Sequence, residues 1–536
     1  MKTHSAKIIG LFLYLWPLPL VQAAAQIKGT VVDVANQPVE NAAIQYYEPE
    51  PGYGLGKVSL LAETKTDSRG NFVVKGVLLR GTIVVKKPGM AYGWITLYDL
   101  PREPVFIRLT HPKHVAGIVV DGNGKPVSAA EVFATTVVFP GDEPARRQQL
   151  LQDQPAKNCY YTRTGDDGRF RLDGFPEDSG LNLVALTPDK ATAVAGNEVM
   201  DLSSMAYFAE EENIRLVVEP TGTVQGRIVG QAGNRPVPIA ELILDPGPPF
   251  GMFSERLISK SRLDGTFVIP NVPVGLYMLY AVFGTNGVPE WVAPGVNVSV
   301  EAGKVTTGVE VAAVRGGALE VSVVKEAGSE PAPCVEVAIR SGNLTYMGVT
   351  DERGLCTVRM PAGESQIIVR QARSAARYLS EIVEEDKTNK VEVTLPLPVR
   401  ITGTVRKPDG SPAGKVYLRT VESTRPVAET VSDAVGSFEL ERPGSDSETT
   451  EPFAILARDV ANRLAALVEV FPDSTDKVEI ALAPAVSFVG EVHSNGGVVT
   501  NVTAAVTLRG TRYQGSLDNI ALNTAQPGQF EIRALP

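Results

Sequence analysis

Apolar and polar residues alternate in short runs along most of the chain, and glycine, proline and aspartate separate the runs. One run returns six times. It reads IKGTVVDVANQPVENAAI from Ile27, VAGIVVDGNGKPVSAAEV from Val115 and VQGRIVGQAGNRPVPIAEL from Val224. It returns as ALEVSVVKEAGSEPAPCVEV from Ala318, ITGTVRKPDGSPAGKVYL from Ile401 and FVGEVHSNGGVVTNVTAAV from Phe488. A period of two sets Ile401, Gly403 and Val405 on one face of a strand and Thr402, Thr404 and Arg406 on the other. One face is therefore buried and the other wet. Glycine stands in mid-strand at Gly29, Gly117, Gly226, Gly403 and Gly490, where it marks a bulge or the close approach of another backbone; the fourth unit carries Val321 there.

A second phrase follows in the first five units: TDSRGNFVV, GDDGRFRL, RLDGTFVI, TDERGLCTV and SDAVGSFEL. Aspartate that bonds its own backbone ahead, followed by glycine at positive φ, makes a tight turn between antiparallel strands. Phe72, Phe170, Phe267 and Phe438 then point into the core. In the third unit Pro273 and Gly275 turn the chain, and Tyr277 and Leu279 open a further alternating strand. Short antiparallel strands with one apolar face bury it best as two packed sheets.

The combined phrase, G-x-V-x-(D)-x-x-G-x-P-V-x-x-A-x-V and then T-D-x-x-G-x-F, resembles the carboxypeptidase regulatory-like domain, a transthyretin-like β-sandwich close to carbohydrate-binding-like folds. The resemblance is clearest in the first three units, looser in the fourth and fifth, and confined to the beginning of the sixth. It implies an all-β chain: a tandem array of about six transthyretin-like antiparallel β-sandwich domains after a signal peptide. It also implies domains that accompany others in exported proteins and bring no catalytic residues. The expected division is a signal peptide over 1–25 and sandwiches over 26–114, 115–222, 223–316, 317–399, 400–486 and 487–536. FEIRALP, from Phe530, aligns with FVIPNVP of the third unit, so the sixth sandwich is expected to be incomplete, either completed by another chain or shorter than its relatives.

A length of 536 residues exceeds what one core holds. The net charge of −10 is spread along the chain, which excludes the basic face that nucleic acid requires. Lys2 and Lys7 precede an apolar run from Ile8 to Val21 and then small residues, the layout of a signal peptide cut after Ala23 or Ala25. Pro17 and Pro19 and the short run argue against a spanning helix, and no later stretch is apolar enough to cross a bilayer. The expected location is the periplasm, the cell surface or the medium.

The three cysteines are too few for a disulfide scaffold. Cys334 and Cys356 form either a bridge across the fourth sandwich or two buried thiols, and Cys159, after the polar insertion DEPARRQQLLQDQPAKN, has no evident partner and is expected to be partly exposed. His111 and His114 flank Pro112 in what reads as a solvated linker, and His493 falls on an outward strand face. The Asp-x-x-Gly loops, Asp166 and Asp167 included, offer too few oxygens for calcium and read as turns. GYGLGKVS, from Gly52, lacks P-loop spacing and reads as an ordinary flexible loop. There is no G-x-S-x-G elbow and no HxxE pair, and Glu210 to Glu212, Glu384 and Glu385 read as solvated charges. No catalytic residue, metal or cofactor is expected.

Trp94 and Trp291 are candidate sugar-stacking platforms, with core burial as the alternative, and one tyrosine of each pair Tyr46–Tyr47 and Tyr160–Tyr161 is expected to face outward. The leading expectation is an exported, non-catalytic binding or spacer protein, an extended array in which each sandwich touches mainly its neighbours and meets a protein or glycan outside the cytoplasm. A glycan-binding module array and the accessory N-terminal part of a larger exported enzyme or transporter are the alternatives.

Overall fold

The computed structural model describes residues 25–536 except 55–57, 78–80, 98–103, 141–147, 195–204, 232–236, 248–256, 285–287, 326–329, 372–375, 397, 422–427, 443–451, 472–476, 492–502, 509–514, 522–528 and the side chains of 492–532. The leader and His493 lie outside the described residues. The chain is all-β, a series of antiparallel sandwiches.

The first unit sets the pattern. Its strands are β1 (Ala25–Val32), β2 (Ala43–Pro49), β3 (Gly52–Tyr53), β4 (Val58–Lys65), β5 (Asn71–Val77), β6 (Gly81–Lys86), β7 (Gly93–Leu97) and β8 (Val105–Arg108). One sheet has the order β5–β1–β8, with β1 antiparallel to β5 and parallel to β8; the other, β4–β2–β6–β7, is wholly antiparallel. The alternation read from the sequence decides which side chains meet between the sheets. Ile27 and Val31 of β1, Phe72 and Val74 of β5 and Ile107 of β8 face Ile44 and Tyr46 of β2 and Ile83 and Val85 of β6. Each fully buried side chain of this size contributes about 1.5–3 kcal/mol relative to exposure.

The opening strand is central in the next four units too. Lys113–Asp121 lies between Arg169–Phe175 and Ile214–Pro220, and Gly222–Gly230 between Thr266–Val272 and Val305–Ala313. Gly317–Lys325 lies between Leu355–Met360 and Thr388–Leu395, and Val399–Arg406 between Ser437–Arg442 and Val478–Ala481. The first partner is antiparallel and the second parallel in every case. In the sixth unit Val486–Glu491 pairs with Gln529–Leu535, and among the described residues no strand lies along its other edge.

The turn before each anchor is built from a carboxylate and a glycine. Asp67 accepts from the backbone N–H groups of Arg69 and Asn71, both at 2.8 Å, and Gly70 (φ 74°) sits where an added Cβ would come within 2.4 Å of the Val31 carbonyl oxygen. The same carboxylate geometry recurs at Asp351 and Asp433. The residue ahead of the turn is a buried hydroxyl: Thr66, Thr164, Ser261, Thr350 and Ser432. Thr66 Oγ1 accepts from the Ala42 N–H at 2.8 Å and donates to the Val39 carbonyl at 2.7 Å, fastening the turn to the segment that links β1 to β2. Thr350 and Ser432 make the same two bonds.

In three of the units the mid-strand glycine is the point at which the last strand arrives, whereas in the third, which keeps Gly226, pairing already begins at Thr223. Parallel pairing begins at Gly29, Gly117 and Gly403 in the first, second and fifth units. At Gly403 a Cβ would lie 2.1 Å from the Val478 carbonyl oxygen and 2.5 Å from the ring of Phe438, its antiparallel partner. In the fourth unit Val321 pairs with Cys356, and parallel pairing already begins at Ala318. Small-against-large has become medium-against-medium.

Candidate functional site

Most of the candidate residues have structural partners. Trp94 and Trp291 are only 2% and 3% exposed, so neither offers a ring face to a sugar. Trp94 packs edge-on against Phe139, with centroids 4.7 Å apart, and Trp291 lies in the core of the third unit beneath Arg315. Tyr160 is buried and Tyr161 exposed, but Tyr46 and Tyr47 are both buried, because the face that Tyr47 occupies is covered by the second unit.

Cys334 and Cys356 are not bridged, and all three cysteines are thiols. Cys334 is exposed at a left-handed turn (φ 62°), whereas Cys356 points into the core, where burial raises its thiol to about 11. Cys159 is buried rather than partly exposed; burial raises it to about 11 against the opposing pull of Lys86. His114 belongs to a strand of the second unit, not to a linker, and its Nε2 lies 3.2 Å from Glu212 Oε1. Asp167 accepts from the Arg169 N–H at 3.0 Å, as a turn residue does. Among the described residues no three His, Cys, Asp or Glu side chains cluster for a metal, and no helix is long and apolar enough to cross a membrane.

The groups that converge do so between units. Strand alternation leaves a second face on each sheet, and in the first four units part of that face is apolar and covered. Tyr47, Val84 and Trp94 of the first unit share a core with Leu151, Ala156 and Tyr160 of the second. The polar insertion supplies this surface: its end forms α1 (Asp153–Cys159), whose Asn158 carbonyl accepts from Lys86 Nζ at 2.9 Å and whose Asn158 Nδ2 donates to Tyr47 Oη at 3.2 Å. Tyr160 stacks on Phe175 at 4.0 Å and meets Tyr92 at 5.4 Å.

Phe133, Val184 and Leu186 of the second unit join the core of the third, and the Val194 N–H donates to the Val274 carbonyl at 2.8 Å. Ile243, Tyr280 and Val292 of the third unit join the core of the fourth. Arg359 fixes this junction by donating to the Arg315 carbonyl at 2.8 Å, while the Arg315 side chain pairs with Glu290 and Asp386.

The first unit also reaches the fourth, a contact beyond the sequence neighbours that the array was expected mainly to touch. The glycine-rich loop is a clasp rather than an ordinary flexible loop. β3 adds to the edge of strand Leu344–Val349, pairing Tyr53 with Tyr346 and Gly52 with Met347. The Gly54 N–H donates to the Thr345 carbonyl at 2.8 Å, and Tyr53 Oη donates to the Arg359 carbonyl at 2.7 Å. The Tyr53 ring meets Tyr346 edge-on at 5.3 Å, and burial holds its phenol protonated well above the ordinary tyrosine range. Units one to four thus close on themselves. Among the described residues the main core of the fifth contains its own residues alone, and the sixth touches the fifth where Arg458 donates to the Arg533 carbonyl at 2.5 Å.

No family model and no curated protein matches the chain. Among solved structures it is similar to a streptococcal ancillary pilin at 10% identity and TM-score 0.23, covering 49% of this chain and 99% of that one. It is similar to the Bacillus anthracis TIE protein at 13% identity and TM-score 0.17, covering 69% and 73%, and to the shaft pilin spaA of Lactobacillus rhamnosus GG at 11% identity and TM-score 0.16, covering 37% and 98%.

Proposed function

We propose that the chain is an exported, non-catalytic scaffold of carboxypeptidase regulatory-like domains that holds protein-binding loops on a rigid block outside the cytoplasm. The observation that carries this reading is the closure of units one to four through shared cores and the β3 clasp. Beads on a flexible string would keep their second faces polar, whereas here those faces are spent on fixing one unit against the next. Asp67 and Asp351 are engaged in turns and Glu210 and Glu212 in ion pairs, which is the chemistry of a frame. The sequence supplies the export element, with Lys2 and Lys7 before an apolar run and small residues at Ala23 and Ala25. The glycan reading is not retained, since the tryptophans that motivated it are core residues.

Expressed with its own leader, the protein is expected outside the cytoplasm with a new N-terminus at Ala24 or Gln26. N-terminal sequencing of the fractionated protein checks this. Recovery in the cytoplasm with residues 1–23 intact overturns the export reading.

A further inference from the structure

Three features of the clasp select chemistry rather than shape alone. Tyr53 is 8% exposed in a slot walled by Tyr346 of the fourth unit and Tyr280 of the third, and its hydroxyl finds a backbone carbonyl there. Gly54 has φ 76°, and a Cβ on it would meet the Tyr280 ring at 2.8 Å, so the position after the tyrosine accepts glycine and excludes larger residues. A Cβ on Gly52, by contrast, would meet nothing within 4 Å, so the position before the tyrosine is unrestricted. The backbone of Leu344–Val349 supplies the remaining bonds through an ordinary antiparallel edge, which reads any extended segment.

We infer that the slot between the third and fourth units is a peptide-binding site for an extended segment carrying tyrosine followed by glycine, filled in this structure by the chain's own Gly52–Tyr53–Gly54. The site belongs to the acceptor units. Its walls and its carbonyl come from strands of the third and fourth sandwiches, and the occupant comes from a loop about 290 residues away in sequence that contributes only two paired residues. A tethered occupant of this size holds the slot by effective concentration and excludes a competing segment while it is docked. The inference stands apart from the export reading, because it concerns the purified folded chain.

The test uses the full mature chain and a labelled peptide with the sequence of residues 50–54, Glu-Pro-Gly-Tyr-Gly, followed by fluorescence anisotropy. Tyr53→Ala is expected to bind the peptide saturably. The unaltered chain should bind at least tenfold more weakly, since its own tyrosine competes at about millimolar effective concentration. A peptide with phenylalanine for tyrosine should lose about fivefold, the worth of one hydrogen bond. A peptide with alanine for the last glycine should not bind. Absence of saturable binding to a Tyr53→Ala chain that keeps its circular dichroism overturns the inference, as does equal binding of all three peptides.

A second variant covers the case in which Tyr53→Ala fails to fold. Gly52 and Met347 are directly paired, and Gly52→Cys with Met347→Cys in a Cys334→Ser background places two thiols within disulfide reach. Oxidation locks the clasp and should abolish the weak binding that the reduced form, which like the unaltered chain keeps Tyr53, shows. Binding that survives the lock overturns the assignment of the slot.

Discussion

At the scale of single residues the repeat rests on paired choices. A glycine in the opening strand faces a phenylalanine in its antiparallel neighbour, as at Gly403 and Phe438, and the fourth unit exchanges both members for Val321 and Cys356. Gly403→Val inserts a side chain where even one carbon meets Phe438 and Val478, and overpacking of this kind costs about 1–3 kcal/mol. Combining it with Phe438→Cys removes the ring but not the Val478 carbonyl, so the double variant should lose less than the sum of the singles by about 0.5–3 kcal/mol. Urea unfolding of the four proteins of the cycle measures this, and strict additivity would refute the pairing. The turn carboxylates give a second expectation. The Leu355 N–H and then the Arg353 N–H hold Asp351 below the usual carboxylate value, and Asp67 is lowered in the same way by the Asn71 N–H first. A group with a lowered folded-state pKa contributes fully above its unfolded value near 3.9, and loses that contribution as pH falls through the folded value. The urea midpoint should therefore drop between about pH 5 and pH 3. Asp351→Asn should flatten that drop; an unchanged slope would show that the turn does not contribute it.

Elements with a local cause were legible in the sequence, and elements with a remote cause were not. The opening strands, the Asp-x-x-Gly turns and the phenylalanine anchors follow from period-two alternation and turn chemistry, and they stand where the sequence puts them. The buried hydroxyl ahead of each turn was legible in principle, since threonine or serine stands there in all five units, at Thr66, Thr164, Ser261, Thr350 and Ser432. A hydroxyl beside a turn has the pattern of a solvated residue, and only its second bond, to a carbonyl across the unit, makes it structural. β3 had no such signal: two residues in a glycine-rich loop become a strand only because the edge of Leu344–Val349 offers them partners. α1 is similar, a seven-residue helix with no side-chain cap bond at its start, held by packing against the first unit. The same remoteness explains Trp94 and Tyr47. Alternation puts Tyr47 and Trp94 on the outer face of their sheet, and only the docking of the second unit turns that face into a core.

For the whole molecule the decisive question is which units unfold together. Units one to four share three cores across their boundaries, so opening any one of them exposes apolar surface on its neighbours. Among the described residues the fifth has a main core of its own. In a chain expressed without residues 1–25 the two tryptophans, Trp94 and Trp291, lie inside the four-unit block, one in a core shared by the first two units and one in the third. Tryptophan emission therefore reports the block alone, while far-ultraviolet circular dichroism reports every strand. In a urea titration the emission should follow a single cooperative transition, and the circular dichroism should show that transition together with a second phase from the fifth and sixth units. Non-coincident probes are the signature of separate cooperative units. Tyr53→Ala should weaken the closure between the first and fourth units and broaden the emission transition, since the slot residues at Tyr280 and Tyr346 then lose their cover. Coincident curves for the unaltered chain would mean that all the units unfold as one, and that the fifth is bound to the block more tightly than its separate core implies.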